Sequence, residues 1–122
     1  NNINVKLFDS LGQFLYYNTI NTVDCVVGNS SSGLFEVPTF KKPTVNIGDR
    51  QKGRTRCDSI IDVKVDSKEI LSSINRAFNL DCLNIINPYG DGKSSKKIVK
   101  ILEKLSIDEF SVQKHFFEYI KN

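Results

Sequence analysis

The 122-residue chain reads as an α/β protein, a parallel sheet with helices on both faces. Three observations lead there. Short apolar runs alternate with stretches of helical periodicity, in the order strand, helix, strand, helix, strand, loop, strand, helix, helix. The runs at 24–27 and 44–47 each stop at a glycine, Gly28 and Gly48, and the first has the continuous apolarity of a buried parallel strand. The segments between runs are long enough to cross over from one parallel strand to the next. A length below one average domain allows one core, so residues 1–122 are expected to form a single domain.

The elements follow in order. Residues 3–8 alternate with period two and predict a first strand. Ser10, Leu11 and Gly12 make a turn, after which Phe14, Leu15, Tyr17 and Ile20 fall at helical spacing over 13–22. The second strand, 24–27, feeds the small-residue loop 28–33. Leu34, Phe35, Val37 and Phe40 then suggest a short helix, with Pro38 tolerated only near an end or a kink. The third strand is 44–47 and the fourth 59–63, separated by a basic loop. Asp66 caps the next helix, with Glu69 three residues on as in a capping box. Ile70, Leu71, Ile74, Ala77 and Phe78 give that helix an apolar stripe. After a loop at 79–92, residues 93–105 form a helix with Ile98, Val99, Ile101, Leu102 and Leu105 on one face and lysines mostly opposite. Residues 107–121 are expected to be helical as well.

Composition removes several classes. Apolar residues at 39% and charged residues at 25% are ordinary globular values, which excludes a disordered tail, a collagen-like chain and a disulfide knot. No run approaches the roughly 18 apolar residues of a membrane helix, and no secretory signal is visible. No membrane partner is expected. The chain has no methionine, even at position 1, so it is expected to be a processed product or a piece of something longer.

The net charge of +3 is too mild to argue for nucleic acid, and none is expected as a partner. Its distribution is more informative. Arg50, Lys52, Arg54 and Arg56 against Asp49 alone give residues 49–57 a charge of +3, equal to that of the whole chain. Such a loop suits a small anion, although a solvated basic loop has the same composition. Cys25, Cys57 and Cys82 are odd in number and too far apart in sequence for a metal knuckle. Free thiols, a reducing compartment and a cytoplasmic location are expected. His115, the single histidine, cannot make a histidine metal site and is expected to be structural or exposed. No metal and no cofactor are expected.

Chemistry concentrates in the loops at strand ends. An apolar strand feeds Gly28-Asn29-Ser30-Ser31-Ser32-Gly33, which opens a helix. Unpaired N–H groups at a helix start, with serine hydroxyls and glycine backbone, can wrap a phosphate at Ser30, Ser31 and Gly33. Neither a P-loop nor a GxGxxG fingerprint is present, and a plain serine N-cap fits the same residues. Glu36, one turn past Gly33, is placed to accept both hydroxyls of a ribose. A solvated glutamate favoured by the helix dipole fits equally. Leu11 and Gly12, after the first strand, offer backbone to the edge of a base, and Arg50 at the end of the third strand offers a fork to phosphate oxygens. Loops from consecutive parallel strands should converge on one edge.

At this length of matching sequence a family becomes recognisable. GNSSSGLFEVPTFKKPTVNIGDRQKGR, residues 28–54, resembles the UDP-N-acetylglucosamine 2-epimerase family, and NPYGDGKSS, residues 87–95, resembles that family's second C-terminal signature. RQKGR is closer to the hydrolysing branch, which releases N-acetylmannosamine and UDP for sialic-acid-type synthesis. The resemblance implies a partial Rossmann-like sheet with flanking helices, from the C-terminal half of a glycosyltransferase-B type fold. It implies that the chain is the truncated nucleotide-binding half of a larger two-domain enzyme, with the missing N-terminal half as its partner and a homo-oligomer possible. Carried over, Ser30 and Ser31 hold the diphosphate, Glu36 binds the ribose hydroxyls, Arg50 lines the nucleotide site and the backbone of Leu11 meets the uracil. The family eliminates UDP to a 2-acetamidoglucal and then adds water or UDP with inversion at C2. The carboxylates for that step come mainly from the other half, so no catalytic residue is expected here and the chain alone is expected to be inactive.

Three further readings follow from the same residues. The parent enzyme could act on a diacetamido-trideoxy UDP-sugar. It could be a glycosyltransferase-B transferase, although RQKGR argues against this. The chain could also be a non-catalytic nucleotide-binding module.

Overall fold

The computed structural model describes residues 4–105. Contacts group the chain into two units, one up to Tyr89 and one from Gly90 onward. The first unit is built on a three-stranded parallel sheet of β1 (Val26–Gly28), β2 (Thr44–Ile47) and β3 (Ile60–Val63), in that spatial order. Val27 pairs with Val45, and Val45 with Ile61. The α/β class, the parallel sheet and the flanking helices expected from the sequence are therefore present.

Side-chain alternation decides what covers each face. Val45 and Ile61 point to α3 (Ser67–Phe78) and form a buried cluster with its Ala77, flanked by Cys25, Ile47, Val63 and Ile74. Thr44 points the other way, and its Oγ1 donates to the Gly33 carbonyl at 2.9 Å. Gly33 belongs to α2 (Ser32–Phe35), so α2 lies on the opposite face. A Cβ on Gly33 would stand 2.6 Å from Thr44 Cγ2, so only glycine lets helix and strand approach this closely. On the α2 side, Ile20 of α1 (Gly12–Thr22), Leu34 and Val37 are fully buried, and the rings of Tyr17 and Phe40 meet with centroids 5.6 Å apart.

Three expectations change. The first strand does not form. Residues 5–8 have no regular structure, and Val5, Leu7 and Phe8 are exposed. Alternation signals a half-covered face, but a strand also needs a neighbour, and no described strand pairs with this segment. The single helix expected over 34–40 is two pieces. α2 stops at Phe35, and a 3-10 turn runs from Val37 to Phe40 with Pro38 in its first positions. Pro38 has no N–H to donate to Leu34, which ends the α-helical ladder. Lys41 closes this turn in the left-handed region, with φ of 56°, and its ammonium donates to the Ile85 carbonyl. The stripe on α3 is wider than the face the sheet covers, because Leu71 and Phe78 stay exposed. The β2–β3 connection carries the basic loop and no helix, in the order expected.

Gly48 ends β2 with φ of 73°, while its N–H still donates to the Val63 carbonyl at 2.7 Å. In the second unit α4 (Ser94–Leu102) forms inside the helix expected over 93–105. Asp91 accepts from the Lys93 N–H at its start and from Lys97 Nζ at 3.2 Å. The helix expected over 107–121, and His115 with it, lie outside the described residues. The three cysteines are free, and no helix among the described residues is long and apolar enough to cross a membrane.

Candidate functional site

Parallel strands put their carboxyl ends on one edge, and two of the loops that leave that edge are joined. Gln51 is 2% exposed, and its Nε2 donates to the Asn29 carbonyl at 2.7 Å. The basic loop after β2 is thereby tied to the serine loop after β1. Arg56 fixes the same loop from the β3 side. Its Nε donates to Asp62 Oδ2 at 2.7 Å, and its Nη1 donates to the carbonyls of Gln51 and Arg54 at 2.9 and 2.6 Å. Asn46 Nδ2 donates to the other Asp62 oxygen at 2.6 Å. Burial pushes the Asp62 carboxyl up, but the hydrogen bonds from Arg56 and Asn46 and the guanidinium's charge outweigh it and hold the group below the usual carboxylate range.

The charge of the basic loop is thus partly spent inside the fold. Arg56 shapes the loop, and the Arg54 guanidinium sits over the Phe35 ring, 5.0 Å from its centroid. Arg50 and Lys52 are exposed. The loop at 87–89 closes over this arrangement. Asn87 Nδ2 donates to the Phe35 carbonyl at 2.7 Å and to Thr39 Oγ1 at 2.8 Å, which satisfies the end of α2. The Tyr89 ring meets Phe35 edge to face at 4.2 Å, and its hydroxyl donates to the Thr55 carbonyl at 3.0 Å.

Beside these loops lies a cavity of about 750 Å³ lined by Leu11, Gly12, Gln13, Tyr16, Tyr17 and Glu36 together with residues 6–10. That volume is in the range of a small-molecule site. The Tyr16 hydroxyl lies 2.6 Å from Ser32 Oγ, so the cavity wall is bonded to the first residue of α2.

The expected site residues fall in three groups. Leu11 and Glu36 meet in the cavity, although Leu11 now precedes α1 without a strand before it. Ser30 and Ser31 sit in the turn that enters α2. Ser30 Oγ accepts from the Ser32 N–H at 3.3 Å, and the Ser31 carbonyl accepts from Leu34 and Phe35. Ser31 occupies the N-cap position but makes no side-chain capping bond, so its hydroxyl is not used there. Gly33 is buried against Thr44 and sets the spacing of helix to sheet. Arg50 is exposed outside the cavity lining, and its side chain has no partner among the described residues. No cluster of three His, Cys, Asp or Glu able to hold a metal exists among the described residues.

Sequence reasoning missed Tyr16, Gln51, Asn87 and Tyr89. Tyr16 is hidden by its neighbour Tyr17, which fits the helical stripe. Gln51 stands between charges that dominate the reading of its loop. Asn87 and Tyr89 belong to a segment read as a loop and as part of the family signature 87–95, which gave neither side chain a role.

The profile of the UDP-N-acetylglucosamine 2-epimerase family matches residues 1–103. This chain belongs to that family. It is 34% identical, over 84% of its length, to a UDP-N,N'-diacetylbacillosamine 2-epimerase (hydrolyzing) of Legionella pneumophila. It is 35% identical, over 93% of its length, to the polysialic acid biosynthesis protein P7 of Escherichia coli. Over 54% of its length it is 48% identical to a GDP/UDP-N,N'-diacetylbacillosamine 2-epimerase (hydrolyzing) of Campylobacter jejuni. Hydrolysing 2-epimerases are thus among its relatives. The chain spans 27%, 32% and 17% of the lengths of these three proteins. Residues 87–89 of the second epimerase-family block meet the first block, 28–54, at Phe35, where Arg54, Asn87 and Tyr89 all make contact.

Proposed function

We propose that this chain is the UDP-binding part of a hydrolysing 2-epimerase that acts on a UDP-linked 2-acetamido sugar. The observation that carries the reading is the meeting of Leu11 and Glu36 in one open cavity whose wall is bonded through Tyr16 to the start of α2. Glu36 takes the ribose hydroxyls, the backbone at Leu11 takes the uracil edge, and Ser30, Ser31 and Arg50 take the diphosphate. Gly33 supports that loop by letting α2 approach β2. The parent enzyme eliminates UDP from the sugar and hydrates the resulting 2-acetamidoglucal. Its acid and base groups come from a part of the protein outside this chain, which has no catalytic role of its own.

UDP-N-acetylglucosamine is the reference substrate of this reading. The names of the Legionella and Campylobacter relatives favour a second one, a diacetamido-trideoxy UDP-sugar. Assaying the full-length parent on both sugars separates them by rate. UDP binding without release of UDP from either sugar would instead identify a non-catalytic nucleotide module.

The site assignment has its own test. A hydrogen bond to a charged group contributes about 1.5–3 kcal/mol. Glu36→Ala or Arg50→Ala in the parent should therefore weaken UDP binding by roughly tenfold or more in calorimetry. Unchanged affinity in both variants refutes the assignment.

A further inference from the structure

We propose that Gln51 is a positioning residue for the diphosphate end of the site, holding the serine loop and Arg50 in one arrangement before ligand arrives. The inference rests on the reading of the site as a UDP site. Gln51 follows Arg50 directly and is almost wholly buried, 2% exposed, in a loop whose neighbours face solvent. Its Nε2 is committed to the carbonyl of Asn29, the residue immediately before Ser30. Its Oε1 is buried and has no partner among the described residues. A side chain kept only to fill this space would be apolar, because an unpaired buried acceptor costs stability. What the amide adds over leucine or methionine is one donor, and that donor is aimed at the serine loop.

The link is part of a longer connection. The Gln51 carbonyl accepts from Arg56 Nη1, Arg56 Nε is held by Asp62 on β3, and Asp62 also accepts from Asn46 on β2. Through Gln51 and Asn29 this run of bonds reaches the residue after β1. The carboxyl ends of all three strands are therefore locked to one another, with Arg50 and the serine loop on either side of the last link. A diphosphate needs several donors in place at once, and donors already fixed cost less to order on binding. The nucleoside end is built differently, from Leu11 before α1 and Glu36 at the end of α2. Loss of the Gln51 amide should then reach the phosphates and leave the nucleoside alone.

The experiment compares UDP with uridine on the full-length protein by calorimetry. Gln51→Met keeps the length and burial and removes the donor. It should weaken UDP about tenfold, ~1.4 kcal/mol, and leave uridine affinity unchanged within about twofold. Gln51→Asn keeps the amide but stops one methylene short of Asn29. It should give the same split, and it carries the measurement if the methionine variant does not fold. UDP and uridine weakening in step would mark Gln51 as merely structural and overturn the proposal, as would an unchanged affinity for UDP. Failure of the underlying site reading looks different. A wild-type protein that binds neither ligand, or a Glu36→Ala variant with undiminished uridine affinity, removes the site and this proposal together.

Discussion

The Gly33–Thr44 contact shows how much one atom decides. A methyl on Gly33 would sit 2.6 Å from Thr44 Cγ2, and Thr44 is itself buried at 2% exposure, so neither group can step aside. Overpacking of this kind costs about 1–3 kcal/mol. Gly33→Ala should lower the urea midpoint accordingly, and adding Thr44→Ser, which deletes the offending methyl but keeps the hydroxyl for the Gly33 carbonyl, should restore most of it. Equal loss in the single and double variants would place the effect elsewhere. Asp62 makes a residue-scale prediction of another kind. Its carboxyl is held below the ordinary value of about 3.9, so the unfolded chain takes up its proton first as pH falls. Its contribution to stability is present above about pH 4 and drains as pH drops through the folded value. Asp62→Asn should therefore be less stable than wild type near neutrality, with the gap narrowing as the solution is acidified. A gap independent of pH would rule this out. Glu36 and Ser30 were legible as candidates because their types and spacing are chemically pointed. Gln51 was not, because a buried amide in a basic loop has no signature until the carbonyl it reaches is known.

At the scale of elements, capping and periodicity were readable where they are local. Asp66 was expected to cap α3, and its carboxylate accepts from the N–H groups of Lys68 and Glu69 at 3.0 and 2.9 Å. The reciprocal half of the capping box is displaced. Glu69 Oε2 accepts from Lys64 N–H at 3.3 Å, because the Asp66 N–H already donates to the Lys64 carbonyl at 2.8 Å. Asp66→Ala should cost about 1 kcal/mol in thermal unfolding of the chain. A loss no larger than a few tenths would mean that Glu69 and the packing of Ala77 hold α3 without it. The strand expected over 3–8 failed for a reason that is not local. Its alternation is genuine, but pairing depends on a neighbour that no window of sequence contains. The break at Pro38 was half readable. The proline marks a boundary, while its 3-10 geometry depends on Val37 packing into the core.

Across the first unit, residues 87–89 and the family block 28–54 act as one assembly. Asn87, distant in sequence, satisfies the carbonyl at the end of α2 and the Thr39 hydroxyl together. Removing it leaves two groups to find other partners, and Asn87→Ala should destabilise the chain by about 1–3 kcal/mol in chemical denaturation. A neutral effect would show that Tyr89 against Phe35 suffices to hold the loop. Fold class, parallel sense and helices on both faces were legible because the order of elements and crossover lengths constrain topology strongly. The assembly around Phe35 was not, since it depends on contacts between residues more than fifty positions apart. β2 is the strand with a neighbour on each side, which fixes a sequence of events in time. As the ribosome extends this chain, Val26 to Gly28 have no described strand beside them until residue 47 emerges, and the sheet is incomplete until Val63 does. The bonds that Thr44 and Gln51 make to the serine loop therefore form only with polypeptide made after it, and a pause in translation just before residue 44 would delay both.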